Sequence, residues 1–536
     1  MKNVSLLHDL VTRTAEARPE RIAVSCGSES ISYGCLAEAV ARFGGACVRL
    51  GLRRGDRVGI YLEKRIDTVT AFFGAAAADC AFVPINPVLK ADQVGHILRD
   101  CGVRLLVTSP ERLALLDETL RACDDLRHVV LVRPHPDHFP KAREGTKPAV
   151  HAWEEMARDN GKVLHRIIDA DLAAVLYTSG STGKPKGVML SHRNLVAGAS
   201  SVAAYLDNNA EDTLLAALPL SFDAGLSQLT TGFLSGARVA LLNYLLPRDV
   251  INAVVQERVS GLTAVPPLWI QLVQQEWPAS AAEHLRYIAN TGGRLPRETL
   301  AALRTRLPKT KVFLMYGLTE AFRATYLPPE EVDLRPDSIG KAIPNAEVLV
   351  LRPDGTECSP NEPGELVQRG ALVAMGYWND PTATAERFRP LSQQLHGAAQ
   401  PEIAVYSGDT VRRDEAGFLY FIGRRDEMIK TSGYRVSPTE IEEVLYATRL
   451  VAECAAFGVE HPALGQAIQV VAVPAAGTTL DATGLLAECR ARLPSYMVPA
   501  NIEVRAAPLP RNPNGKLDRA ALAAAARGRV ASVQPS

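Results

Sequence analysis

The sequence predicts an α/β protein. A large N-terminal domain of doubly wound sheets carries a small β-rich subdomain and is followed by an α+β C-terminal domain. Three observations point there. Strand and helix patterns alternate over residues 1 to about 170 and continue beyond. From Ser338 the texture changes to short strands punctuated by Gly340, Pro344, Gly355, Pro360, Pro363 and Gly364. After a charged connector, Arg424-Arg425-Asp426, a compact unit of two helices and two strands begins. The expected division is 1–424 (with 338–424 the β-rich part), a joint at 425–426, and 427–536.

Composition narrows the class. The chain has 536 residues, 47% apolar and 22% charged, as in an ordinary globular protein. Its 59 basic and 59 acidic residues cancel, giving no push toward nucleic acid or an anionic surface. Nine cysteines are scattered without a C-x-x-C pair, which argues against zinc and for a reducing, cytoplasmic setting. The N-terminus places Asp9, Glu16 and Glu20 among apolar positions, the pattern of an amphipathic helix rather than a signal peptide. The apolar run Ala71 to Val83 contains Asp79 and is too short to span a bilayer.

Taken in order, Leu6 to Ala17 has helical spacing, and Ile22 to Cys26 and Ile31 to Tyr33 read as strands. Tyr33 to Leu50 is a helix stopped by Gly51. Strands follow at Arg57–Tyr61, Leu105–Thr108 and Val129–Val132, and Arg133 to Pro148 reads as a surface excursion. Leu172 to Leu176 is an apolar strand that feeds a polar loop. Beyond it come a helix from His192 to Leu206, a strand at Leu214–Leu218 and a helix starting near Ser221. Strands at Arg238–Leu242 and Gly261–Val265 flank the helix Pro247–Glu257. Thr291-Gly292-Gly293 follows the strand Tyr287–Ala289, and Val312–Met315 delivers Tyr316-Gly-Leu-Thr-Glu320 at its carboxyl end, where α/β sheets bind ligands. In the last unit, helices Pro438–Ala447 and Ala482–Leu493 alternate with strands Ala452–Val459 and Ala467–Val473.

The loop after Leu176 carries the strongest chemical signal. Thr178, Ser179, Ser181 and Thr182 surround Gly180, Gly183 and Gly187, with Lys184 and Lys186 among them. Hydroxyl donors, inward-turning backbone N–H groups and cations are what a polyphosphate needs. A polar surface loop is the plain alternative. The Walker spacing is absent: two residues separate Gly180 from Gly183, and Pro185 follows Lys184.

Tyr177 to Gly187 resembles the signature loop of the AMP-forming adenylating superfamily: acyl-CoA synthetases, adenylation domains of nonribosomal peptide synthesis, and luciferases. The later motifs fall in that family's order over nearly the whole chain. The resemblance implies ATP and Mg²⁺ as cosubstrate and cofactor. Nucleotide contacts would come from Thr178, Ser179, Gly180, Ser181, Thr182, Gly183, Lys184 and Lys186, together with Gly292, Gly293, Tyr316, Gly317 and Thr319. Glu320 would ligate Mg²⁺, as hard cations favour carboxylates. Tyr406-Ser-Gly-Asp409 resembles the ribose site, with Phe421 and Arg424 flanking the nucleotide. Asp426 matches the hinge about which the C-terminal domain swings, Gly433 the pantetheine tunnel, and Lys516 in Asn514-Gly-Lys516 the catalytic lysine of adenylation. Thr178, Glu320 and Lys516 form the implied catalytic set.

The resemblance also places an acid pocket at Asp223, Ala224, Ser227, Ala264, Ala289, Thr291, Met315, Arg323 and Ala324. An aspartate at the place of Asp223 pairs the α-ammonium in amino-acid-activating domains, and a buried carboxylate needs a partner. The primary expectation is therefore amino-acid activation, with transfer to CoA or to the phosphopantetheine of a separate carrier protein. Asp223 as a helix N-cap is the competing reading. Arg323 is read as facing either a second carboxylate or solvent. Lys430-Thr-Ser-Gly-Tyr-Arg435 is closer in texture to acyl-CoA ligases, and the sequence ends at Ser536, shortly after Lys516, so the thiol is expected in trans. The alternatives are an acyl-CoA synthetase for a non-amino acid, an oxygenase of the luciferase type, and a nucleotide-binding regulator without chemistry. No nucleic-acid partner and no membrane span are expected.

Overall fold

Short apolar strands buried on both faces need helices on either side, and this requirement organises most of the chain. A computed structural model describes residues 4–133, 148–158, 166–178, 185–391, 401–424, 427–431, 434–461, 464–512 and 516–531. One sheet has a parallel centre in the order Arg238–Leu241, Thr213–Ala216, Gly261–Ala264, Tyr287–Asn290 and Lys311–Tyr316. A second runs Leu172–Thr178, Ala81–Pro84, Arg57–Tyr61, Val103–Thr108, His128–Leu131 and Ala149–Ala152, also parallel. Helices Tyr33–Arg49, Ile66–Ala77, His192–Leu206 and Asp223–Ser235 contribute to the core they share, where Phe73 and Phe233 meet edge-to-face at 5.1 Å.

The β-rich segment does not stand apart. Thr325–Leu327 turns antiparallel onto Lys311–Tyr316 and hands the sheet on to Ser338–Ala342 and Leu419–Arg424. Gly376–Tyr377, from the same segment, pairs instead with Lys186–Ser191 in the second sheet. That last strand was not anticipated: glycine, proline and lysine at its start hide a run that pairs antiparallel with Leu172–Thr178, bringing Lys186 opposite Thr178. The polar loop between these two strands, 179–184, lies outside the described residues. Most of the surface excursion at 133–148 lies outside the described residues.

Helix ends follow local chemistry. His192–Leu206 begins with a capping box in which Ser191 accepts from Asn194 N–H and Asn194 reaches back to Ser191. His192, wholly buried, accepts a hydrogen bond at Nδ1 from Leu7 N–H at 3.0 Å, tying the N-terminal segment to this helix. Burial holds the imidazole neutral, down to about 4, with neighbouring His8 acting in the same direction. The unfolded chain thus takes up a proton first as pH falls through the usual histidine range. Stability present at pH 7 should fall by about 3 kcal/mol between about pH 6.5 and 4 on this account. Denaturant melts at stepped pH check it: His192→Gln should flatten that slope, and an unchanged slope refutes the assignment.

The C-terminal unit is a sheet of Tyr434–Val436, Ile429–Thr431, Gly465–Pro474 and Val451–His461, with Asn501–Val504 parallel on Gly465–Pro474. Helices Pro438–Tyr446 and Ala482–Arg492 cover it. Arg519 makes a forked contact to buried Glu442 at 2.8 and 2.9 Å, and Ala456 N–H donates to the same carboxylate. This anchor fixes the chain just after Lys516. Ion pairs from Arg449 to Glu298 (2.7 Å) and from Arg294 to Glu443 (3.7 Å) join the unit to the large part of the chain. Among the described residues no helix is long and apolar enough to cross a membrane.

Candidate active site

The site sits at the carboxyl ends of the parallel strands. Lys311–Tyr316 ends in Tyr316, whose hydroxyl donates to Asp409 on the strand Ile403–Arg413. Asp409 is buried, which pushes its carboxyl upward against the pull of Arg424 and the Tyr316 hydroxyl. Arg424 Nε lies 3.3 Å from Asp409 Oδ1, and the Phe421 ring is 6.2 Å from that of Tyr316. A carboxylate held this way beside two aromatic rings suits a diol with a flat base next to it.

Glu320, in the short turn Thr319–Ala321, accepts from the Tyr377 hydroxyl at 2.5 Å and has Arg387 Nε at 3.9 Å. Arg387 also borders Gly408, next to Asp409. Lys186 lies 5.4 Å above the Tyr377 ring and 3.4 Å from Asp380. Tyr377, Arg387 and Asp380 were not anticipated. Tyr377 lies in the aromatic stretch Gly376-Tyr-Trp378, the only signal that could have found it.

Lys516 arrives from the C-terminal unit. Its Cε lies 3.9 Å from where a Cβ on Gly292 would stand, and its charge is felt at Asp409. Gly292 takes φ +76°, a conformation that suits glycine. Asn290 Nδ2 donates to Gly293 O at 2.8 Å and braces the turn. The structure thus brings together Lys186, Gly292, Gly293, Tyr316, Gly317, Thr319, Glu320, Asp409, Phe421, Arg424 and Lys516, with Thr178 at the end of its strand. Ser179, Gly180, Ser181, Thr182, Gly183 and Lys184 lie outside the described residues, as do Asp426 and Gly433.

The acid pocket departs from expectation at two points. Asp223 is the first residue of its helix rather than its N-cap, a position held by Phe222 with no side-chain cap hydrogen bond. Its carboxylate lies 3.5 Å from Arg323 Nη1, and Arg323 is only 2% exposed. The counter-charge expected from a substrate ammonium is supplied by the chain itself, so the half-buried Asp223 carboxylate calls for no cationic substrate. Arg323, read as facing either a second carboxylate or solvent, is buried and faces a carboxylate of the chain itself. Ala264 packs with Leu262, Leu268 and Trp269 on the far side of the sheet; from this strand Gly261 and Thr263 line the cavity. A pleated strand alternates its faces, so a one-residue offset reverses the side. Ala224, Ser227 and Met315 do line the cavity with Arg323. Ala289 shares its apolar cluster with Met315, while Thr291 and Ala324 are buried at the ends of adjoining strands.

Arg323 is aimed by strained backbone. Phe322 holds φ 56° and ψ −45°, and Arg323 N–H donates to Ala321 O at 2.6 Å, a γ-turn with positive φ. Such a conformation for a bulky residue costs about 1–3 kcal/mol and persists only where packing enforces it. The wholly buried Phe322 ring supplies that packing, filling the space a side chain at Gly198 would need: a Cβ there would stand 2.4 Å from the ring.

The profile of the AMP-binding enzyme family matches residues 11–378, and that of the AMP-binding enzyme C-terminal domain matches residues 440–516. The chain belongs to the AMP-binding enzyme family. It is an AMP-forming acid–thiol ligase of the adenylating superfamily. A feruloyl-CoA synthase from Amycolatopsis sp is 30% identical over 509 residues, covering 94% of this chain and 96% of that one. Bacitracin synthase 3 from Bacillus licheniformis is 29% identical over 521 residues, 96% of this chain but 8% of that protein. The o-succinylbenzoate CoA synthetase of Bacillus subtilis, in complex with its acyl-adenylate intermediate, superposes with TM-score 0.79 at 26% identity, covering 96% and 97% of the two chains. AMP-binding enzymes of matching length are thus found among CoA ligases, while the peptide-synthetase match spans a small part of a longer protein.

Proposed function

We propose that this chain joins a non-amino carboxylic acid to CoA by way of an acyl-adenylate, using Mg-ATP. The observation that carries the reading is the internal Asp223–Arg323 ion pair, which removes the case for a substrate ammonium. Relatives of the same length named as CoA ligases support it.

The residues divide the work as follows. Asp409 accepts hydrogen bonds from the ribose hydroxyls, with Tyr316 and Phe421 beside the base and Arg424 at the Asp409 carboxylate. Glu320 is a single carboxylate at the phosphate end, a fit for Mg²⁺ that otherwise keeps waters and phosphate oxygens as ligands. When bound, Mg²⁺ supplies charge neutralisation of the polyphosphate. Thr178, Ser179 to Lys184, Lys186, Gly317 and Thr319 border the phosphates. The acid's carboxylate oxygen forms a bond to the α-phosphorus as the bond to pyrophosphate breaks, and Lys516 offsets charge gathering on the transferring group. The thiol then attacks the acyl carbon, loses its proton and displaces AMP. We assign 1–424 and 427–536 to the two domains, Asp426 to the hinge between half-reactions and Gly433 to the pantetheine path.

AMP release measured with and without CoA, over matched acids with and without an α-amino group, tests the substrate class. At least one non-amino acid should support CoA-dependent AMP release. Turnover confined to α-amino acids would restore the carrier-protein reading. The Glu320 assignment gives a second test: Tyr377→Phe removes the hydrogen bond that orients this carboxylate. It should raise the Mg²⁺ needed for half-maximal rate by about tenfold or more, as loss of a ligand's supporting hydrogen bond commonly does. No change in the Mg²⁺ titration would refute that role.

A further inference from the structure

We propose that Glu443 and Arg449 hold the C-terminal unit in the arrangement that delivers Lys516, by docking it on the start of the helix Arg297–Arg306. They are positioning residues for adenylation, acting through Lys516 rather than on the substrate. The inference rests on the ligase reading above and concerns its first half-reaction. At this end of the helix the large part of the chain offers Arg294 and Glu298, and the C-terminal unit meets them with Glu443 and Arg449. Arg294 Nε lies 3.7 Å from Glu443 Oε1, and its Nη2 lies 2.7 Å from Asp337 Oδ1, so one guanidinium spans both parts. Arg449 Nε and Nη2 lie 2.8 and 2.7 Å from the same oxygen, Glu298 Oε2.

Three features mark this contact as a dock rather than incidental surface charge. The helix begins after Pro296, which supplies no side-chain cap, and its first turn presents backbone N–H groups and partial positive charge. Glu443 brings a carboxylate to that end. Burial and neighbouring Asp337 push its carboxyl up, while Arg294, Arg297 and the Arg297 backbone N–H pull it down. Arg449 holds φ 62° just past the helix Pro438–Tyr446, a backbone conformation that favours glycine. An arginine kept there in spite of the strain points to a use for its side chain, and that side chain reaches the other part of the chain. The charges also alternate, Arg294 and Glu298 on one side, Glu443 and Arg449 on the other, so a unit turned about would set like charges together. The contact lies beside the site. Arg294 is two residues beyond Gly292, the glycine that Lys516 Cε approaches, so docking and delivery of Lys516 use one turn. The Arg449 side chain is 78% exposed and adds little to folding. Its effect falls on the equilibrium between arrangements of the two parts, which contacts made in only one of them can shift.

The test measures the two half-reactions of the full chain separately: acid-dependent exchange of pyrophosphate into ATP, and transfer from a supplied acyl-adenylate to CoA. Glu443→Met together with Arg449→Glu should lower exchange by about tenfold or more, while transfer stays at or above the native rate. A merely structural role would lower both alike. Arg449→Glu alone sets two carboxylates together and should also lower exchange. Adding Glu298→Arg restores the attraction with its charges reversed and should return exchange to within about twofold of native. Where Glu443→Met does not fold, this surface swap decides the question. Unchanged exchange in the variants, parallel loss of both half-reactions in folded protein, or no rescue by the swap would overturn the inference and leave the ligase reading intact. No exchange by the native enzyme with any acid would overturn that reading, and the inference with it.

Discussion

Replacing Lys516 with alanine should lower acid-dependent exchange of pyrophosphate into ATP by about 10²–10³-fold, the loss expected when one preorganised charge-stabilising group is removed. The geometry behind this is the arrival of Lys516 from the C-terminal unit against Gly292, near enough for its charge to bear on Asp409. A cation there favours the transition state, in which charge on the transferring group shifts, over the bound reactants, so kcat should carry the loss. Transfer of the acyl group from a supplied acyl-adenylate to CoA should continue at near the native rate, because the second half-reaction forms no bond at phosphorus. ATP binding should change little. Equal loss of both half-reactions would point to a structural role, and undiminished exchange would show that the lysine acts elsewhere.

The second large effect concerns the pairing of buried Arg323 with half-buried Asp223. Asp223→Ala leaves Arg323 charged and without its partner in a place that is 2% exposed, and should destabilise the protein by about 3–5 kcal/mol. Removing both charges together, as Asp223→Ala with Arg323→Met, should cost less than Asp223→Ala alone, because no uncompensated charge remains. Denaturant melts of the two single variants and the double variant give the coupling directly. A double variant no more stable than Asp223→Ala would mean that the 3.5 Å contact carries little energy. Preserved stability with selective loss of α-amino acids as substrates would return Asp223 to the role first expected for it.

Much of this arrangement is legible in the chain itself, because much of it is local. The helix His192–Leu206 has the expected ends, since Ser191 and Asn194 write its capping box into adjacent positions. Tyr316, Glu320 and Gly292 stand where strand-then-turn patterns place them, and Lys516 reaches the same site from the far end of the chain. What escaped notice depends on long-range geometry. Asp223 and Arg323 are far apart in sequence, so neither a capping pattern nor a family position discloses that they neutralise each other. Tyr377 and Arg387 support Glu320 from a segment that reads as β-rich periphery, and only the pairing of Gly376–Tyr377 with Lys186–Ser191 brings it into the site. Ala264 and Thr263 differ by a single position, but the register of the sheet decides which of them faces the cavity.

The most direct test of the central claim is the fate of the ATP phosphates when a non-amino acid and CoA are both present. The account predicts one AMP and one pyrophosphate for each acyl-CoA formed, with acid-dependent pyrophosphate exchange continuing when CoA is left out. Formation of ADP and phosphate, or exchange supported only by α-amino acids, would contradict it.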